Sequence, residues 1–102
     1  MKIKLLNSFS LNMLKSEKTS ILCSAVSREY FLKLRDAGLL ESYIGHQDLA
    51  NILGVPFNRA TVNLSNEKII VAQYRGERLP EGTTVLPQNS KIEFFELILT
   101  EI

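Results

Sequence analysis

Ile69-Ile70-Val71-Ala72-Gln73-Tyr74 is the stretch from which the fold is read. Its first four residues are apolar at successive positions. A strand with that pattern carries apolar side chains on both faces and needs cover on both. Polar Gln73 and the Arg75–Gly82 segment then mark where the strand runs out into a charged loop. A β-rich core covered by helices follows, provided that the neighbouring segments supply the other strands and the helices.

Working outward, they do. Ala60–Leu64 reads as a strand that turns at Ser65-Asn66-Glu67-Lys68 and pairs with Ile69–Tyr74 as a hairpin. Lys91–Thr100 carries Phe95, Leu97 and Leu99 on one face and Ile92, Phe94 and Ile98 on the other. That places it centrally or in a subunit interface, not at a solvated edge. Lys2–Leu6 is a short strand with Ile3 and Leu5 on one face, and Ile21–Val26 is another. Between the strands, Ser27 caps a helix over Arg28–Ala37 that Gly38 stops. Its inward stripe is Tyr30, Phe31, Leu34 and Ala37, with Glu29 and Lys33 paired on the wet side. A second helix, Gln47–Leu53, turns Leu49, Ile52 and Leu53 inward and stops at Gly54 before Pro56. The polar break Asn7-Ser8-Phe9-Ser10 can cap a helical turn at Leu11–Lys15, and Phe9 within it is a core anchor or a base-stacking ring. The expected architecture is one α/β domain spanning residues 1–102, with a mixed sheet of five strands and short helices.

Composition narrows the function. Twelve Lys and Arg balance 11 Asp and Glu. Binding duplex nucleic acid leans on many phosphate contacts, so this balance argues against it, while leaving room for a small anion gripped by a few arginines. Cys23 is the only cysteine and is expected to be a buried thiol in an apolar strand. No stretch approaches the roughly 20 apolar residues of a membrane span, and no signal peptide is read at the start. A cytoplasmic location is expected, in the host if the source is viral.

The side chains exclude more chemistry than they assign. One His, one Cys and two Asp offer no spacing that gathers metal ligands. Neither a Gly-x-Ser-x-Gly elbow nor a P-loop is present. His46, behind Gly45 and at a helix start, is a proton donor or merely a helix cap. Arg59, Arg75 and Arg78 are the cations nearest strand ends. Arg78 and Glu81 form either part of a site or a loop ion pair of little consequence.

Five short segments add a resemblance. Asn7-Ser8-Phe9-Ser10-Leu11-Asn12-Met13-Leu14, Ile44-Gly45-His46, Asn58-Arg59, Gln73-Tyr74-Arg75-Gly76-Glu77-Arg78-Leu79-Pro80-Glu81-Gly82 and Ile92-Glu93-Phe94-Phe95-Glu96 occur in one order across most of the chain. Together they resemble the viral anti-CRISPR ring nucleases and their bacterial relatives, which degrade the messenger cyclic tetra-adenylate. The resemblance implies a homodimer closing over one ring, with neither metal nor cofactor. It implies catalytic roles for His46, Arg78 and Glu81, and a ligand pocket lined by Asn7, Ser10, Asn12, Arg59 and Gln73. The products would be linear adenylates ending in a 2′,3′-cyclic phosphate. Thr83–Ser90 departs from the archaeal viral members, being too short and turn-rich for the helix they carry there. Two other readings stay open: a protein that sequesters the ring without cutting it, and a structural or DNA-associated dimer in which His46 is incidental.

Overall fold

The computed structural model describes residues 2–102. Its strands are β1 (Ile3–Leu6), β2 (Thr19–Val26), β3 (Leu40–Tyr43), β4 (Glu67–Arg75) and β5 (Lys91–Glu101). Helices α1 (Arg28–Asp36) and α2 (Gln47–Leu53) and a 3-10 turn at Leu11–Met13 complete it. The strands form a single sheet in the order β2-β5-β4-β1-β3. β1 lies parallel to β3 on one side and to β4 on the other, whereas β5 runs antiparallel to both β4 and β2. The mixed α/β sheet expected from the sequence is therefore present, with β4 and β5 in its interior.

Local chemistry sets the helix ends. The Ser27 hydroxyl accepts the Tyr30 N–H at 3.1 Å, and Gly38, at φ 71°, leads the chain away from α1. α2 ends on Gly54, whose φ of 70° is the left-handed conformation that a side chain opposes. Both helices pack on one face of the sheet, where Leu5, Ile70, Ala72 and Phe94 meet Phe31, Leu49 and Leu53. Phe31 stacks on Phe94 with ring centroids 4.7 Å apart. Burying a side chain of this class contributes about 1.5–3 kcal/mol. Phe31 is buried and Tyr30 and Leu34 are half-buried, but Ala37 is exposed as the C-cap. Among the described residues Glu29 and Lys33 form no ion pair.

The second face departs from expectation. It is covered not by helices but by the 3-10 turn and by residues 60–64, with Val62 and Leu64 packed on Leu6, Ile69, Val71, Leu97 and Leu99. The expected Ala60–Leu64 hairpin strand does not form. The segment alternates as a strand does, yet it lies on the sheet face and makes one isolated bridge, Leu14 to Leu64. Its place in the strand count is taken by β3, which the sequence leaves as irregular chain. Leu40-Glu41-Ser42-Tyr43 is short and half polar, and pairing with β1 holds it together. Ser42 is buried because its hydroxyl donates to the Pro56 carbonyl and accepts the Ile44 N–H. Cys23, expected to be buried, is exposed: it lies on β2, an edge strand that pairs with β5 and has most of its residues exposed. No helix among the described residues is long and apolar enough to cross a membrane.

Candidate functional site

The parallel trio β1, β3 and β4 ends along one edge of the sheet. In open α/β sheets ligands gather beyond the carboxyl ends of such strands. The residues that follow here are Asn7 after β1, Ile44-Gly45-His46 after β3, and the loop at 76–82 after β4.

Asn7 is the hub. Its side-chain oxygen accepts the Gly45 N–H at 3.1 Å, so the end of β1 is fastened to the turn that presents His46. With that oxygen engaged, the Asn7 side chain has its NH₂ group left to offer. Asn7 lines two adjoining cavities. The first, of about 360 Å³, is also lined by His46, Gln73, Glu77, Arg78 and Leu79. The second, of about 350 Å³, is also lined by Ser10, Asn12, Asn58 and Arg59. Seven of the eight residues singled out in the sequence thus border one composite cleft. Glu81 is exposed and lines neither cavity; Glu77, four residues earlier in the same loop, faces the His46 cavity instead. The sequence has no signal that separates the two glutamates.

His46 is the N-cap of α2. Its Nδ1 accepts the Leu49 N–H at 3.3 Å, which leaves Nε2 as the protonated nitrogen of this tautomer. The capping reading of His46 is therefore realised. It is compatible with a second role, since the ring is exposed and borders the cavity.

The three strand-end arginines separate. Arg75 pairs with Glu93. Arg59 and Arg78 form no ion pair or side-chain hydrogen bond among the described residues, and both are exposed. The Arg78–Glu81 loop ion pair is accordingly absent. Asn58 fixes the backbone beside Arg59: its N–H donates to the Ile44 carbonyl at 2.9 Å, its Nδ2 to the Ser42 carbonyl at 3.1 Å, and its Oδ1 accepts the Ala60 N–H at 3.0 Å. Asn58 is thus a positioning residue for Arg59. Ser10 caps the 3-10 turn by accepting the Asn12 N–H at 3.3 Å, and its hydroxyl hydrogen is free to donate. Apart from the Glu77 carboxylate, the polar lining offers donors, and Arg59 and Arg78 add two guanidinium groups without an ion-pair partner among the described residues, an arrangement suited to an oligoanion. Among the described residues no group of three or more His, Cys, Asp or Glu side chains is placed to hold a metal ion.

A model of the STIV B116-like family matches residues 3–96. The chain belongs to the STIV B116-like family. Among solved structures, B116 of Sulfolobus turreted icosahedral virus is similar to it at 30% identity, covering 96% of this chain and 99% of the viral one, with a TM-score of 0.77. No curated protein sequence matches. For this B116-like chain the family match spans all five strands up to Glu96 and every residue of the cleft. Residues 83–90 form no helix, as expected from their turn-rich sequence.

Proposed function

We propose that this B116-like protein is a ring nuclease that binds cyclic tetra-adenylate and opens it by attack of a ribose 2′-hydroxyl on the adjacent phosphodiester. The observation that carries the reading is that Asn7 borders both the His46–Arg78 cavity and the Arg59–Ser10 cavity. The five-segment resemblance to the ring nucleases adds to it. Each cavity is in the size range of a small-ligand site, and a ring of four nucleotides exceeds either one. A homodimer pairing two such clefts about a two-fold axis would meet the ring's own symmetry.

In the proposed step the nucleophile belongs to the substrate, so the protein's first contribution is to hold O2′ in line with the departing O5′. The O2′–P bond forms as the P–O5′ bond breaks. Arg78 stabilises the charge gathering on the phosphoryl oxygens. His46, protonated at both nitrogens, gives its Nε2 proton to O5′, a step worth about 10²–10⁴-fold. The 2′-hydroxyl proton leaves to solvent, and the product carries a 2′,3′-cyclic phosphate and a 5′-hydroxyl. Protonation of Nδ1 removes the acceptor that caps α2, so His46 must release the Leu49 N–H to act as an acid. Arg59, Ser10, Asn12, Gln73 and Asn7 donate to phosphate and sugar oxygens or base acceptors. Glu81, exposed in the same loop as Arg78, has a role on the resemblance alone. Activity in the host cytoplasm would extinguish the messenger of type III CRISPR immunity.

The engagement of His46 as a cap favours one competing reading, in which the cleft binds the ring and leaves it intact. Incubating the protein with labelled cyclic tetra-adenylate in EDTA separates the two. Linear products with a 2′,3′-cyclic phosphate support the nuclease; tight binding with an unchanged ring supports the competitor. Absence of binding contradicts both.

A further inference from the structure

The loop at 76–82 carries Arg78 and Glu81 but has no strand or helix to fix it, and most of its residues are exposed. Its conformation rests on three anchors. The Tyr74 hydroxyl donates to the Glu77 carbonyl at 2.7 Å, closing the loop near its start. Leu79 is 93% removed from solvent and lines the cavity with His46 and Leu49, plugging the loop's middle into the core. At the exit, the Gly82 N–H donates to Asp48 Oδ1 at 3.1 Å. Among the described residues this is the one hydrogen bond between the loop and α2.

Asp48 stands two residues after His46 in the first turn of α2. An aspartate there ordinarily serves the helix's own amides and dipole. In this helix His46 caps Leu49, while the Asp48 oxygen reaches a segment 34 residues away. Gly82 has a φ of 84°, a conformation that side chains resist, and it lies in a turn closed by the Thr83 N–H on the Pro80 carbonyl at 3.2 Å. The helix that presents the imidazole therefore also holds the loop that presents the guanidinium.

We infer that Asp48 is a positioning residue: its carboxylate latches the Arg78 loop to α2 and so sets the placement of Arg78 relative to His46. The latch is a statement about geometry. Its consequence for cleavage rests on the function proposed above, and the two are separable by experiment.

The test uses the full chain as wild type, Asp48→Ala and Asp48→Asn, with Gly82 amide exchange followed by NMR. Asn keeps an acceptor oxygen at the same reach, whereas Ala removes it. The expected result is a protected Gly82 amide in the wild type and in Asp48→Asn, and exchange about tenfold or more faster in Asp48→Ala. Single-turnover opening of cyclic tetra-adenylate should fall about 10²-fold in Asp48→Ala and recover in Asp48→Asn, with ring affinity little changed, because a small misplacement of a catalytic group is enough for that loss. A Gly82 amide that exchanges freely in the wild type overturns the latch, and this holds even if Asp48→Ala fails to fold. Equal cleavage by wild type and Asp48→Ala, with exchange accelerated, overturns the positioning role. A wild type that leaves the ring intact counts against the proposed function, while the Gly82 measurement still judges the latch.

Discussion

Asn7 and Gly45 are joined by a 3.1 Å hydrogen bond from the Gly45 N–H to the Asn7 side-chain oxygen, across 38 residues of sequence. Through it the ends of two neighbouring parallel strands act as one platform, and His46 is carried on that platform. Removing the acceptor in Asn7→Ala leaves a part-buried N–H without a partner, at a cost of about 1–3 kcal/mol. Asn7→Asp keeps an acceptor but sets a carboxylate among the donors of the cleft. Thermal melts should show the loss for Asn7→Ala and less of it for Asn7→Asp, while titration with cyclic tetra-adenylate should show weakened binding for both.

His46 has two separable roles. As N-cap of α2 it can be replaced by Asn, which is among the best residues at that position, whereas Ala abolishes the cap at about 0.5–2 kcal/mol. Urea midpoints are expected to order wild type and His46→Asn together and His46→Ala below them. Coincident midpoints for the Ala and Asn variants would show that the cap contributes nothing.

Gly54 is held to glycine by its backbone. Its φ is 70°, and a Cβ placed there would sit 2.8 Å from Arg35 Nη1, the atom that donates to the Leu53 carbonyl at 3.0 Å. Gly54→Ala carries left-handed strain of about 1–3 kcal/mol, while the Arg35 guanidinium, at the end of a flexible side chain, can shift to make room. A clearly lowered melting temperature is the expected outcome, and an unchanged one would contradict the capping geometry.

Arg59, Arg75 and Arg78 should differ sharply. Arg75 is paired with Glu93 and lines neither cavity of the cleft, so Arg75→Ala is expected to leave ring binding and cleavage near wild type. Arg59→Ala should weaken binding. Arg78→Ala should lower single-turnover cleavage by about 10²–10³-fold, the scale of losing one preorganised donor. Titrations and rapid-quench rates on the three variants check the order.

Much of this was legible in the residues. The consecutive apolar positions Ile69 to Ala72 marked an interior strand, and the two-faced pattern of Lys91–Thr100 marked another. Ser27, Gly38 and Gly54 marked the helix ends through chemistry that acts within a few residues. What escaped was set by distant partners. β3 forms because β1 pairs alongside a half-polar tetrapeptide, in a register running from Ile3 opposite Leu40 to Leu6 opposite Tyr43, and no local propensity announces that. Residues 60–64 alternate like a strand but cover a sheet face, because period-two burial requires only one wet and one dry side, not a hydrogen-bonded neighbour. Cys23 sits in an apolar run, yet the strand's place at the edge of the sheet leaves it exposed. In the cleft, motif positions located Asn7, His46, Arg59 and Arg78, while the choice of Glu77 over Glu81 and the reach of Asp48 to Gly82 depend on how the loop folds back on α2.

The most direct test of the central claim is the single-turnover rate of cyclic tetra-adenylate opening by wild type and His46→Asn, measured in EDTA beside the affinity of each for the ring. Asn keeps the helix cap and cannot supply the proton, so the account requires similar affinity and a rate lower by about 10²–10⁴-fold. Opening at the wild-type rate by His46→Asn would contradict it.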